Sequence, residues 1–494
     1  MSELPVSSPS TIIRGWKGNT YEREVPGLLG RPEEHLGHGE FPTQAMSEDE
    51  QLLARLGYKQ ELNRGLGLFE NWAATFSCMN FVSGMPILFG WVMMTGGPQA
   101  AVTSWTIVSI ISCVLASSLA EIAAAFPTAG GIYFWTYLLG GPEWGPFLSW
   151  MTAWWNWSAW VLAVPGTQQG ATNFLVSALQ IKYPDAAILH EGWFSLLITL
   201  AGLVAALTPN ITSPKQQASD AYCWVISFLF GAWEFGGYDA SAHLAEETED
   251  ASKTVAGGMW LSTVSTTILS IPTLIMILFC IQNFEALISA TYANNWAEFL
   301  VQVVGPRGAI AILVMNWIDC TCATAAVILS AQRVTFAISR DNILPGSSLF
   351  RQVSGVHSIP VNAALLVVFI AAAISCTVLG SSVAFSAITA TTVTCQNMSY
   401  LFVLITRHTL GRSRFKPAPW NLGPLSRPVG YFCVLWIAFL STILLLPQVF
   451  PVTLQTLNYS PVCLAIVTSV SVIGWFLPFG WGGRHWFKGP GKRQ

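Results

Sequence analysis

Apolar stretches of membrane-spanning length recur along this chain from residue 72 to the C-terminus, with few charges inside them. A helix needs about 20 apolar residues to cross a hydrocarbon core of about 30 Å. Lipid offers no partner to a free N–H or C=O, so the spans must keep their backbone bonds internal. The chain is thereby restricted to an all-α polytopic membrane protein. Of its 494 residues 52% are hydrophobic and 10% charged, against about 25% charged in soluble domains. The net charge of -3 says little, because the charges are clustered.

Spans are read at 72–94, 100–125, 147–178, 221–243, 259–281, 309–338, 361–380, 383–406, 430–447 and 461–479, with 193–207 as an ambiguous extra. Residues 1–65 read as a soluble tail, disordered up to about Ser47. Ser47-Glu48-Asp49-Glu50 then precedes LLARLGY, the signature of a short capped helix at the membrane surface. No signal-peptide h-region follows the first Met, so segment one is expected to serve as its own insertion signal. The transmembrane domain is drawn at 66–482 and a short C-terminal tail at 483–494. The ten cysteines lie mostly in apolar spans and read as packing residues. Trp91, Trp105, Trp144, Trp193, Trp260, Trp296, Trp475 and Trp481 fall near span ends, as an interfacial belt or as packing inside the bundle.

Orientation follows from Lys and Arg. Seven precede segment one; Arg333, Arg340 and Arg351 form a second cluster. Arg407, Arg412, Arg414, Lys416 and Arg427 form a third, and Arg484, Lys488, Lys492 and Arg493 a fourth. The positive-inside rule puts all four, and both termini, in the cytoplasm. The number of crossings between residue 65 and Arg333 must then be even. Six spans satisfy this, and counting 193–207 breaks it. At a rise of about 1.5 Å per residue that stretch makes roughly 22 Å of helix. Either it does not cross, or a partner helix is missing beside it.

Two spans are interrupted. One reads FSCMNFVSGMPILFG, residues 76–90; the other reads FGAWEFGGYDASAH, residues 230–243. Broken backbone survives at membrane depth only around a cavity, and a pair of broken helices is the best sequence pointer to a transporter's binding site. The candidate ligands are Ser77, Cys78, Met79, Asn80, Ser83 and Gly84 in the first break. In the second they are Trp233, Glu234, Phe235, Gly236, Gly237 and Tyr238. The competing reading of the first break is a kink caused by Pro86.

The motifs TGGP (95–98), AEIAAAFPTAGGIYFW (120–135) and SWMTAWWNW (149–157) resemble the fungal amino-acid/choline permeases of the amino acid–polyamine–organocation superfamily. GYDASAHLAEET (237–248), SRDNILP (339–345), IPVNA (359–363) and LNYSPV (457–462) continue the resemblance in order, over about residues 60–490. It implies a LeuT-like five-plus-five inverted repeat plus two helices, with substrate between broken helices one and six. It also implies transport of an amino acid, GABA, choline or polyamine, usually driven by protons. This chain departs from the pattern after Leu207, where TPNITSPKQQASD runs straight into Ala221. Some fifty residues, including the fifth helix, are expected to be absent. That agrees with the failed parity.

Glu234 is a second departure, since the resemblance implies Thr or another small polar residue there. An acid at mid-membrane costs about 2.5–3.5 kcal/mol or more to insert and is functional by default. It is read as neutralising a substrate ammonium or carrying the coupled proton, against a protonated structural acid. Asp239 and His243 share a helix face four residues apart, as a proton relay or a fold-holding contact. Glu121 is expected to pair with Arg333 or Arg340, either as a gate or permanently. The EETED run (246–250) reads as a solvated loop rather than a metal site.

No Gly-x-Ser-x-Gly, HExxH or Walker loop occurs, so nothing points to an enzyme, a cofactor or a nucleic-acid partner. His243 is read as the only histidine at a membrane-spanning segment, too few for an intramembrane metal site. Three readings remain open. The first is a proton-coupled permease for an amine-bearing solute, multi-pass and in the plasma rather than the vacuolar membrane. The second is a nutrient-sensing receptor or channel on the same fold, and the third a truncated product that does not transport.

Overall fold

The short capped helix expected at the head of the chain is present. In this computed structural model α1 runs over Glu48–Arg55. The Ser47 hydroxyl accepts from Glu50 N–H at 3.2 Å, and the Glu50 carboxylate accepts from Ser47 N–H at 2.9 Å. The described residues are 47–62, 64–204, 228–353, 360–379, 384–447, 452, 457–478 and 482–490. The expectations for residues 1–46 and 208–220 lie outside them.

The first span is two helices, α2 (Leu68–Met79) and α3 (Phe81–Thr95), followed by α4 (Gly97–Ala125). The span read at 147–178 is the larger part of α5 (Ile132–Lys182). Gly141, at φ 74 just before Pro142, kinks off its first turns; glycine takes that conformation without a Cβ penalty. Helix α6 is described over Gly192–Val204. Next come α7 (Phe228–Glu234) and α8 (Ala240–His243), separated by the second break, and α9 (Ala251–Phe279).

The span read at 309–338 lies within α10 (Trp296–Arg340), which is interrupted at Gly305 before Pro306. Helices α11 (Val361–Ser375), α12 (Ala384–His408), α13 (Ser426–Leu444) and α14 (Ser460–Phe476) complete the bundle. Among the described residues six segments are long and apolar enough to cross a membrane: 68–95, 97–125, 251–279, 296–340, 387–408 and 423–444. The chain is a multi-pass membrane protein.

Helix α5 is the post around which the site is built, packed against α10 and α12. Its glycines set how closely the broken helices approach. A Cβ on Gly166 would sit 2.7 Å from Trp233 Cη2, and one on Gly170 would sit 2.4 Å from Ile87 Cδ1. Small residues at such crossings replace the hydrophobic drive that lipid does not supply. The tryptophans divide as the sequence left open. Trp144 and Trp193 are exposed, whereas Trp105 is fully buried and donates to Ser270 Oγ at 2.8 Å. Among the described residues every cysteine is free.

Candidate functional site

The first break is narrower than the sequence suggests, and it falls on Asn80 rather than around Gly84. Asn80 has φ 31 and ψ 63, a left-handed conformation, which Asn tolerates better than most residues. The helices on either side stay bonded through Asn80 N–H to Phe76 O and Gly84 N–H to Asn80 O, both 2.9 Å. The Asn80 amide bridges the break, donating to Ser83 Oγ at 2.7 Å and to Asp319 Oδ2 on α10 at 3.0 Å.

The second break runs from Phe235 to Asp239, with Gly237 at φ +87. Among the described residues the N–H groups of Gly236 and Gly237 have no backbone partner. Gly84, freed of its expected role as the break, has another. A Cβ there would lie 2.0 Å from Glu234 Oε2, so only glycine lets the carboxylate rest on α3. A Cβ on Gly237 would meet Trp160 Cη2 at 3.5 Å and Cys78 Cβ at 3.7 Å. The two breaks therefore face each other.

Between them lies a cavity with about 80 Å³ for water centres. Cys78, Met79, Asn80, Ser83 and Gly84 line it from one break, and residues 233–238 from the other. Ser77 does not. It is exposed on the outer face of α2, because successive helical residues point about 100° apart.

Glu234 is 2% exposed, and among the described residues neither of its carboxylate oxygens has a hydrogen-bond partner. Asp319 lies within Coulombic reach of it, and among the described residues no Lys, Arg or His lines the cavity. Of the two acids only Glu234 lines the cavity, and a buried charge is stable only when paired.

Asp239 is in the opposite condition. Its buried carboxylate accepts from Tyr400 OH at 2.7 Å, Gln396 Nε2 at 2.8 Å and Trp160 Nε1 at 3.3 Å. His243 Nε2 lies 3.2 Å away, while His243 Nδ1 faces the Ala129 carbonyl at 3.1 Å. A carbonyl accepts only, so Nδ1 is the donor to it, and Nε2 faces both Asp239 and the Asn156 amide, the latter at 3.4 Å. The pair ties the second break to α5 and α12.

Three expectations for the charged residues need correction. Glu121 meets neither Arg333 nor Arg340; it accepts from Ser426 Oγ at 2.5 Å and faces Arg407 Nη2 at 4.0 Å. Arg333 instead pairs with Glu247, and Arg340 forks onto Glu246 with two bonds of 2.8 Å. The start of the EETED run is thus a buried ion-pair element, and only Glu249 and Asp250 are exposed. The third correction concerns histidine. His408 ends α12, a spanning helix, so His243 is not alone.

Tyr58 and Tyr133 both donate to Asp341 Oδ2, at 2.9 and 2.8 Å, beside the Arg340–Glu246 pair. Burial and the adjoining Asp341 carboxylate push the Tyr58 phenol well above its ordinary range, so it remains a donor.

Asp319, Gln396 and Tyr400 were missed by the sequence reading. Asp319 carried a usable signal, being an acid within an apolar span. Gln396 and Tyr400 carried none, because polar residues one turn apart on a helix are common.

A profile of the amino acid permease family matches residues 69–219 and 192–469, most of the chain. The chain belongs to the amino acid permease family. The permease is similar to amino-acid permease BAT1 of Arabidopsis thaliana, 29% identical over 92% of this chain and 98% of that protein. It is similar to the thiamine transporter thi9 of Schizosaccharomyces pombe, 28% identical over 86% of this chain and 85% of that protein. Among solved structures, a mutant manganese transporter of Eremococcus coleocola aligns at TM-score 0.47 and 12% identity, over 85% of this chain and 97% of that one. The permease carries out secondary transport of amino acids or related small amines across a membrane, and is a transporter rather than an enzyme.

Proposed function

We propose that the permease holds the cationic group of an amine-bearing solute against Glu234, in the cavity between the two breaks, and moves it together with a proton. One observation carries this reading. Among the described residues Glu234 is a buried carboxylate with both oxygens unpartnered, in a cavity lined by no cation, with the Asp319 carboxylate within Coulombic reach behind the lining. An ammonium or quaternary nitrogen supplies the missing partner, and Trp233, Phe235 and Tyr238 offer aromatic faces to it. This favours choline-like, basic or polyamine solutes, and with them the GABA/choline branch of the family.

The coupling proton belongs to the Asp239–His243 pair. Without it, Asp239 would face the Nε2 lone pair at 3.2 Å and that contact would weaken, while the bonds from Trp160, Gln396 and Tyr400 remain. Proton and solute then act on the same broken helix from different positions. Arg333–Glu247 and Arg340–Glu246 serve as contacts of the cytoplasmic gate, and Glu121–Arg407 as another. Both termini are cytoplasmic in this reading, residues 1–65 form the N-terminal tail, and the plasma membrane is the site of action.

We also read the chain as a five-plus-five fold that lacks its fifth helix. The alignment to BAT1 spans 517 positions, more than the 494 residues of this chain, so the relative carries residues without counterpart here. The family profile also matches residues 192–219 twice, as expected where one stretch stands for two. Transcript sequencing across codons 205–222 tests this, and an additional in-frame exon would identify the missing helix.

The test of the binding reading is uptake in a transporter-deficient host, normalised for surface expression. Glu234→Gln should weaken uptake of choline-like or basic solutes far more than that of neutral ones. Glu234→Thr should shift preference towards neutral amino acids. Unchanged profiles in both variants would leave Glu234 as a structural acid.

A further inference from the structure

A second cavity lies away from the helix breaks, where the end of α4, the last turn of α12 and the first turn of α13 converge. It holds about 350 Å³ for water centres. Arg407 and His408 form its floor and are 9% and 5% exposed. Arg412 and Arg427 stand exposed at its rim. Among the described residues Glu121 is the one acid in the lining, and it is shared between Ser426 Oγ at 2.5 Å and Arg407 Nη2 at 4.0 Å. Three guanidinium groups against one carboxylate leave the cavity positive.

The floor is fixed and unsatisfied. The Arg407 guanidinium lies over the Phe415 ring, 3.4 Å from its centroid. Among the described residues Arg407 Nε and both ring nitrogens of His408 are buried without a hydrogen-bond partner, a condition that native interiors largely avoid.

The bland account is that basic residues offset the negative end of α12. The chain closes that end by other means. Thr409 N–H reaches Ile405 O at 2.9 Å, and Gly411 N–H reaches Thr406 O at 2.7 Å. The start of α13 is closed as well, since a tight turn over Gly423–Leu425 runs into it and Ser426 N–H bonds Gly423 O, so the side chains alone face the space. Cavity, charge and unpartnered donors agree.

We propose that this cavity binds a phosphate-bearing anion of about the size of an inositol phosphate, supplied either by a phospholipid headgroup or by a free phosphoester. Arg407 and His408 hold the buried phosphate, and Arg412 and Arg427 hold the outer one. Basic pockets between helices at a membrane face are known to take such headgroups.

The experiment uses the purified full chain in neutral detergent, titrated by tryptophan fluorescence and thermal midpoint. The probes are dioctanoyl phosphatidylinositol 4,5-bisphosphate, inositol 1,4,5-trisphosphate and dioctanoyl phosphatidylcholine. Wild type should bind the bisphosphate lipid and ignore the choline lipid. Arg427→Gln should weaken binding about fivefold and Arg412→Gln/Arg427→Gln roughly twenty-five-fold, from the usual worth of a basic residue towards anionic headgroups. Both arginines are exposed, so the ligand-free midpoint should not move. Equal binding of the trisphosphate identifies a free phosphoester; binding of the lipid alone identifies a headgroup. Either outcome supports the site. Failure of both phosphorylated probes to bind, or equal binding by wild type and the double variant, overturns it.

Discussion

Gly84→Ala tests the packing that brings the two breaks together. In an ordinary helix interior this substitution stabilises by about 0.5–1 kcal/mol, because Gly loses more chain entropy on folding. Here the new methyl would lie 2.0 Å from Glu234 Oε2 and 2.9 Å from Glu234 Cδ. Glu234 is the last residue of α7 and is 2% exposed, so its carboxylate must swing into the cavity to make room. Overpacking of this kind costs about 1–3 kcal/mol. The net effect is a destabilisation of up to about 2.5 kcal/mol, the clash less the entropy gain. In a Glu234→Ala background the obstacle is gone, and the same substitution should stabilise by about 0.5–1 kcal/mol. The sign therefore reverses between backgrounds, with a coupling of about 1–3 kcal/mol. The assay is thermal unfolding of the four purified proteins, followed by fluorescence-detected size exclusion. If Gly84→Ala shifts stability equally in both backgrounds, Glu234 does not rest on Gly84 and the opposition of the breaks is wrong.

Asn80 separates backbone from side chain. Asn80→Gly should retain surface expression but lose uptake, because the left-handed turn survives and the bridge to Ser83 and Asp319 does not. Asn80→Leu should lose expression as well, at about 1–2 kcal/mol for the conformation alone; wild-type uptake by Asn80→Gly would contradict this. Arg340→Gln leaves Glu246 buried and unpaired and should destabilise by about 3–5 kcal/mol. Arg340→Gln/Glu246→Gln should recover much of that in the same unfolding assay. His243→Gln should uncouple uptake from an imposed proton gradient, and an unaltered response to the gradient would remove the Asp239–His243 pair from coupling.

Much of the architecture was legible because lipid imposes strict rules. A break needs Gly or a polar residue in an apolar run, and Asn80, Gly236 and Gly237 announce themselves that way. The positive-inside rule assigned residues to an end of the bundle but not to a side of a helix, which explains the errors. Glu121, Arg333 and Arg340 were grouped at one level, yet Glu121 faces Arg407 while the other two meet Glu247 and Glu246. Partner choice there depends on how distant helices pack, and charge counting carries no such information. Ser77 failed for a related reason, since the break begins three residues beyond it and Ser77 is still governed by helical rotation. Asp239 and His243 were correctly paired because an i, i+4 spacing is local. Tyr400, Gln396 and Trp160, which complete that cluster, come from two other helices.

The central claim is that a cationic group belongs against Glu234, and binding tests it independently of whether the chain completes a transport cycle. The measurement is equilibrium binding of choline, a basic amino acid and a neutral amino acid to purified wild type and Glu234→Gln at neutral pH. Wild type should prefer the two cations, and Glu234→Gln should lose affinity for them by tenfold or more, as expected for a buried charge pair at 2 kcal/mol or above, while the neutral ligand changes little. Equal affinities of the two proteins for the cations would contradict the account.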